Sequence, residues 1–229
     1  MERGLYIAAS GMLAEQVRQD QIANDLANAS TPGYKADRTS QQSFGQLLLS
    51  NSLSGRQVGN LGMGVQIGRT VTDFSPGAVR ETGEGLDFAI EGTGFFAVRT
   101  DAGVRYTRNG QFSVSGRGTL VTAQGHEVLS QNGTPIRVDR EGKLNASAIG
   151  VFEVAGARKI GEALFTGNAA GQGTGTVRAG ALEGSGVDPA RAMVDMIASF
   201  RAFESGQRVI RTIDETLEKS ASQVGSIQG

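Results

Sequence analysis

The sequence predicts an α+β protein: N- and C-terminal helices paired as a coiled-coil-like stalk, with a central Gly-rich antiparallel β domain between them. Three observations predict it. Apolar residues recur every three or four positions at each end of the chain. Most of the 34 glycines lie between positions 51 and 186, and glycine this dense disfavours helix and favours turns, bulges and short strands. The same middle stretch holds short apolar or alternating runs punctuated by Asn-Gly pairs.

The first helix rests on Leu5, Ala9, Met12, Leu13, Gln16, Ile22, Ala23 and Leu26, largely three and four apart with polar residues between. It should stop before Ser30-Thr31-Pro32-Gly33-Tyr34, because a proline disfavours helical geometry in the residue before it and glycine tolerates positive φ. The last helix should start at Asp188-Pro189, an acid suited to the N-cap followed by a proline whose missing N–H is harmless there. Met193, Met196, Ile197, Phe200, Phe203, Ile210, Ile213, Leu217 and Val224 then follow close to the spacing of a coiled-coil seam, with Gly206 its one weak link. Glu204/Arg208, Arg211/Glu215 and Glu215/Lys219 sit four apart and suit a solvated face. Each helix has one apolar stripe to bury, and the simplest partner for each is the other.

Between them, Leu86–Ile90 alternates and Phe95-Phe96-Ala97-Val98 is a short apolar run. Asn109-Gly110 stands between strand-like arms from Tyr106 to Val114, and Asn132-Gly133 between Val128-Leu129 and Ile136-Arg137-Val138. Both pairs predict type I′ hairpin turns. Phe44 to Leu49 is compatible with a short helix, Ser50 to Gly68 reads as a pliant arm, and Gly167 to Gly175 as a loop leaving the β domain. The expected organisation is a helix over 1–33, an extended connecting arm over 34–80, a β domain over 81–186 and a helix over 187–229.

Charge and composition exclude several function classes. The 22 Lys and Arg against 23 Asp and Glu leave a formal charge of -1, so no basic field exists to hold nucleic acid. Cysteine is absent, which removes thiol catalysis, thiolate metal sites and disulfides. No apolar run approaches the roughly 20 residues of a membrane helix, and the first residues lack the pattern of a cleaved leader. His126 is the only histidine, so a His-based triad or zinc site has no partners, and no metal ligand set is expected. Asn28, Asn132 and Asn145 open glycosylation-like triplets that read as caps and turns.

Gly92-Thr93-Gly94-Phe95-Phe96-Ala97 fits G-x-G-x-x-A. A dinucleotide site would need a helix N-terminus after it, whereas Phe-Phe-Ala-Val reads as a strand, and Phe112 stands where a ribose-binding acid belongs. A turn and bulge is the better reading, and neither cofactor nor catalytic residue is expected. The Met193, Met196, Phe200 and Phe203 stripe reads as a packing seam before a ligand groove.

Gln21-Ile22-Ala23-Asn24-Asp25-Leu26-Ala27-Asn28-Ala29-Ser30-Thr31-Pro32-Gly33-Tyr34-Lys35 resembles the N-terminal signature of the flagellar rod and hook proteins, an asparagine-rich helix end followed by T-P-G-Y-K. Its motif positions are Asn24, Leu26, Ala27, Asn28, Thr31, Pro32, Gly33 and Tyr34. Leu86–Phe96, Tyr106–Gly110 and Gly118–Thr122 resemble the family's β-domain motifs. Leu182–Asp188, Met196-Ile197 and Arg201–Glu204 resemble its C-terminal signature, with Gly186 where asparagine is usual and Phe203 where tyrosine is usual. The resemblance spans essentially the whole chain. A chain of 229 residues is too short for the hook member's inserted outer region, so a rod protein of F or G type is favoured, and the two types stay open.

The resemblance implies a structural, non-enzymatic subunit of the basal-body rod, in the cell envelope on the periplasmic side. It implies export through the flagellar type III apparatus without cleavage, and a helical array whose paired terminal helices line a hollow, torque-bearing shaft. Expected partners are further copies of the chain, other rod and hook subunits and the export apparatus, with no nucleic acid and no small-molecule substrate. The expected assembly interface is Leu5, Met12, Ile22 and Leu26 with Met193, Ile197, Phe200, Phe203, Ile210, Ile213 and Leu217. A hook-type subunit, a secreted β-rich binding module and an oxidoreductase using the Gly92 turn are the competing readings.

Overall fold

The computed structural model describes residues 2–43, 45–50, 57–139, 144–161 and 163–225. The chain is α+β, with helices at both ends and an antiparallel β domain in the middle. It divides into two units. One holds Met1–Leu26, Asp37–Val71 and Ala190–Gly229, the other Ala27–Ala36 and Thr72–Pro189. The stretch 34–80, expected to be a single arm, is therefore shared between them.

The first unit contains α1, Glu2–Ala27, and α2, Pro189–Gly225. Both boundaries follow the signals: α1 ends three residues before Ser30, and α2 begins on the proline whose N–H no helical bond requires. Between the helices in sequence lie β1 (Asp37–Ser43), β2 (Gln46–Ser50), β3 (Gln57–Gly62) and β4 (Val65–Thr72), paired β1 with β4 and β2 with β3. The short helix expected over Phe44–Leu49 is thus a strand from Gln46 onward; Phe44, like 51–56 of the pliant arm, lies outside the described residues. Gln57 to Gly62 and Val65 to Gly68 of that arm are strand. Asp37-Arg38-Thr39-Ser40-Gln41-Gln42-Ser43 is polar throughout, so β1 has no hydrophobic alternation to betray it.

The second unit adds β5 (Val79–Glu81), β6 (Phe88–Glu91), β7 (Phe95–Thr100), β8 (Gly103–Thr107), β9 (Phe112–Val114), β10 (Leu120–Thr122) and β11 (Glu127–Val128). It closes with β12 (Val151–Ile160), β13 (Leu164–Gln172), β14 (Thr176–Ala179) and β15 (Ala181–Glu183). Seven strands form one sheet in the order β12-β13-β8-β7-β11-β10-β9. One edge of β7 carries β8, and the other carries β11 at Val98 and Arg99 and β12 at Phe95 and Phe96. The ladder β7-β8-β13-β12 therefore closes on itself.

That closure explains the apolar run in β7. Phe96 and Val98 enter one core with Phe88, Phe112, Leu120 and Val151, while Phe95 and Ala97 enter a second with Tyr106, Leu129 and Phe165. Successive residues of a strand point to opposite faces, so a strand covered on both sides must be apolar at every position. Edge-on rings complete both cores: Phe96 and Phe112 lie 5.3 Å apart in one, Phe74 and Phe165 5.4 Å apart in the other.

Three turn expectations are corrected. Asn109-Gly110 does not close a hairpin: β8 pairs with β7 and β13, and β9 pairs with β10. Asn109 instead accepts the Gln111 N–H at 2.9 Å through its side chain, and Gly110 lets the chain pass against Phe88, whose N–H donates to the Gly110 carbonyl at 3.0 Å. A Cβ at Gly110 would lie 1.6 Å from the Phe88 carbonyl oxygen. The Asn132-Gly133 hairpin does form, with Leu129 bridged to Pro135, but only Gly133 has positive φ, so the turn is not type I′. The loop expected over Gly167–Gly175 is mostly strand, since β13 runs to Gln172 and pairs with β12 at Gly171 and Gln172. Glycine density marks weak strands as readily as loops.

Candidate assembly interface

Within the first unit, α1 and α2 touch along one line. A methyl at Gly4 would meet Ile213 Cδ1 at 3.5 Å, and one at Gly206 would meet Met12 Cγ at 2.7 Å. Ser199 Oγ donates to the Glu15 carboxylate at 2.6 Å, and Arg18 stands 3.7 Å from Asp195. As the α1 number rises the α2 number falls, so the helices run antiparallel. Ser199, Gly206 and Ile213 are seven apart, which keeps them on one face. Gly206 is no defect in that face, because it makes the room that Met12 occupies. Ser199 is buried, so its bond to Glu15 is shielded, while the Arg18–Asp195 pair is half-exposed and contributes little.

The residues singled out from spacing fall into two groups. Met12, Ile22, Leu26, Phe203, Ile210 and Ile213 are half-buried. Leu5, Met193, Ile197, Phe200 and Leu217 are exposed, Ile197 at 55% and Phe200 at 53%. At about 100° per residue, Met193, Ile197 and Phe200 point roughly 150° away from the line that meets α1. A second outward stripe runs on α1 through Tyr6, Leu13 and Val17, with Tyr6 60% and Leu13 62% exposed, on the side opposite Gly4, Met12 and Glu15. Spacing alone merged two faces into one seam. Tyr6, Val17 and Val194, not among the residues expected from spacing, are exposed apolar side chains as well, and the signal that marks them is an apolar stripe too wide for one partner helix.

Of the family-like segment, residues 21–26, with the motif positions Asn24 and Leu26, belong to the first unit on α1, and 27–35 belong to the second; Ala27 ends α1. Asn28 is buried and its side-chain oxygen accepts from Thr31 Oγ1 at 3.1 Å. Thr31 and Pro32 are half-buried. Gly33 has φ of 66°, and a Cβ there would lie 2.3 Å from the Arg108 carbonyl carbon, so a side chain is excluded twice over. Tyr34 and Lys35 are fully buried.

The turn after Gly92 leads into strand β7 and not a helix. Among the described residues no group of three or more His, Cys, Asp or Glu is placed to hold a metal ion, and no helix is long and apolar enough to cross a membrane.

Comparison with known proteins adds to this geometry. Residues 5–35 match the family described as flagella basal body rod protein. Residues 89–156 match the flagellar hook protein FlgE/F/G D1 domain, and 178–224 the flagellar basal body rod FlgEFG protein C-terminal family. The flagellar basal-body rod protein FlgG of Bacillus subtilis is 35% identical over 258 residues, covering 96% of this chain and 98% of that protein. The flagellar hook-basal body complex protein FlhO of the same organism is 30% identical, over 99% of this chain and all of that one (100%). The flagellar basal-body rod protein FlgF of Caulobacter vibrioides is 31% identical, over 98% of this chain and 97% of that one.

Proposed function

The chain belongs to the family of flagellar basal-body rod proteins of FlgF/FlgG type, and from that premise we propose that its outward apolar stripes join copy to copy into the hollow helical shaft of the rod. The protein is a structural subunit of the flagellar basal body and not an enzyme. It works among other flagellar components. In the proposed assembly Met12, Ile22, Leu26, Phe203, Ile210 and Ile213 hold α1 and α2 together as a coiled-coil-like stalk. Leu5, Met193, Ile197, Phe200 and Leu217, joined by Tyr6, Leu13 and Val17, meet the neighbours.

The observation that carries the reading is the placement of Met193, Ile197 and Phe200 in water on the far side of α2. Three large apolar side chains at spacings of four and three form a contiguous patch, and such patches mark interaction sites. A contact that repeats head to tail without closing builds a helical array, which suits a shaft that transmits torque and passes exported subunits through its bore. In this reading the chain is delivered by the flagellar type III apparatus, and the shaft lies on the periplasmic side of the envelope.

Basal bodies isolated from a strain whose only copy carries Phe200→Asp test this. The variant is expected to be missing from the rods while the β unit keeps its thermal transition. Rods containing the variant at the normal level would overturn the proposal.

A further inference from the structure

Glu183 joins four stretches of chain in the second unit. Its carboxylate accepts from Lys35 Nζ at 2.6 Å, the Gly77 N–H at 2.8 Å and Arg108 Nη1 at 3.1 Å. Its carbonyl accepts the Gly33 N–H at 2.9 Å. The Gly186 N–H donates to the Tyr34 carbonyl at 2.9 Å, so residues 33–34 and 183–186 are zipped together. Lys35 also donates to the Ser75 carbonyl at 2.6 Å, while Lys159 donates to the Lys35 carbonyl and stands 3.8 Å over the Tyr34 ring. Lys35 and Glu183 are each 1% exposed, and Arg108 is 4%.

Two features of this cluster matter together. Neither aromatic-rich core contains a residue of 27–36, and the Arg108–Glu183 bond is made by residues outside the segment, although Tyr34 is buried when the segment is docked. Yet the segment docks by burying an ammonium group, whose desolvation is offset only if it lands on the carboxylate. A slip of one residue would bring Tyr34 or Ala36 to Glu183 and leave Lys35 buried without an anion.

We propose that Glu183 is a keystone that accepts the segment 33–36 in a single register through the Lys35 charge, making its docking a separate, charge-registered step from folding of the β-sheet. The device fixes where the chain leaving α1 and the chain entering α2 are held, without being needed for the cores themselves.

Amide hydrogen exchange on the full chain tests it, following Gly33 and Gly186 as reporters of docking and Leu129, which donates to the Ala97 carbonyl, as reporter of the sheet. Lys35→Met keeps the Arg108–Glu183 pair. It is expected to raise exchange at Gly33 and Gly186 about tenfold or more and at Leu129 less than about twofold. Glu183→Gln leaves two cations buried and is expected to do more harm at Gly33 and Gly186. Adding Lys35→Met to it should restore part of their protection. Unchanged exchange at Gly33 in Lys35→Met, an equal rise at Leu129, or additive effects in the double variant would each overturn the proposal.

Discussion

The two units of this chain treat their apolar residues in opposite ways. The β unit buries Phe88, Phe96, Phe165, Leu120 and Val128 completely, while the helical unit leaves Tyr6, Leu13, Ile197 and Phe200 more than half exposed. Composition does not separate them, since both draw on Phe, Leu, Ile and Val. What separates them is closure. A sheet that returns on itself through β12 supplies both faces of β7 with partners, whereas two helices touching along one line cover one face each. The β unit has the makings of a self-sufficient fold, and the helical unit keeps the outward apolar faces on which the proposed assembly depends.

The largest effect is expected from charge on the outward stripe. Ile197→Asp should abolish incorporation into rods and leave helix content by circular dichroism within error of the parent, because Ile197 packs on little within the subunit. Ile210→Asp, on the half-buried side, should lose both. If Ile197→Asp unfolds the helices, the two faces are not distinct. Next comes the β core: Phe96→Ala removes a buried ring from the Phe88/Phe112 cluster and should cost about 3–5 kcal/mol, read as a fall in the melting temperature of the β unit with assembly contacts untouched.

Glycine substitutions sharpen the same contrast. Gly110→Ala meets a backbone oxygen at 1.6 Å that cannot yield without breaking the Phe88–Gly110 bond, so a loss of about 2 kcal/mol or more is expected in denaturant melts. Gly206→Ala meets the flexible Met12 side chain instead. There a helix-propensity gain of about 1 kcal/mol works against the repacking, and the net change should stay within about 1 kcal/mol. The smallest effect belongs to Arg208→Ala: its pair with Glu204, 3.8 Å apart and largely exposed, is expected to contribute about 0.3–0.5 kcal/mol and to vanish in salt.

The helix ends were legible because their signals are local: Asp188-Pro189 opens α2, and Thr31-Pro32-Gly33 follows the end of α1. The core strands were legible because Phe95-Phe96-Ala97-Val98 is apolar at every position. Pairing was not legible. Asn109-Gly110 carries the chemistry of a turn, but nothing within ten residues says that β8 and β9 will join different neighbours. The polar β1 and the glycine-bearing end of β13 are held by ladders whose partners lie outside any sequence window. On the two helices, spacing marked the apolar positions and not their division between a buried and an exposed face, since a three-four repeat is the same whichever side of the helix it marks. The Lys35–Glu183 bond spans 148 residues, and only the family-like T-P-G-Y-K hinted that the region mattered.

The antiparallel register of the helices has one more consequence. With Gly4 beside Ile213, α1 is nearly used up, yet α2 continues through residues 214–225, about three further turns, with 214–223 exposed. These turns propagate from a helix already nucleated against α1, so they carry no nucleation penalty, but with 214–223 exposed they have little beyond their own backbone bonds to hold them. The end of α2 is therefore expected to fray on warming before the turns that meet α1 do, the cheapest part of the helix to open.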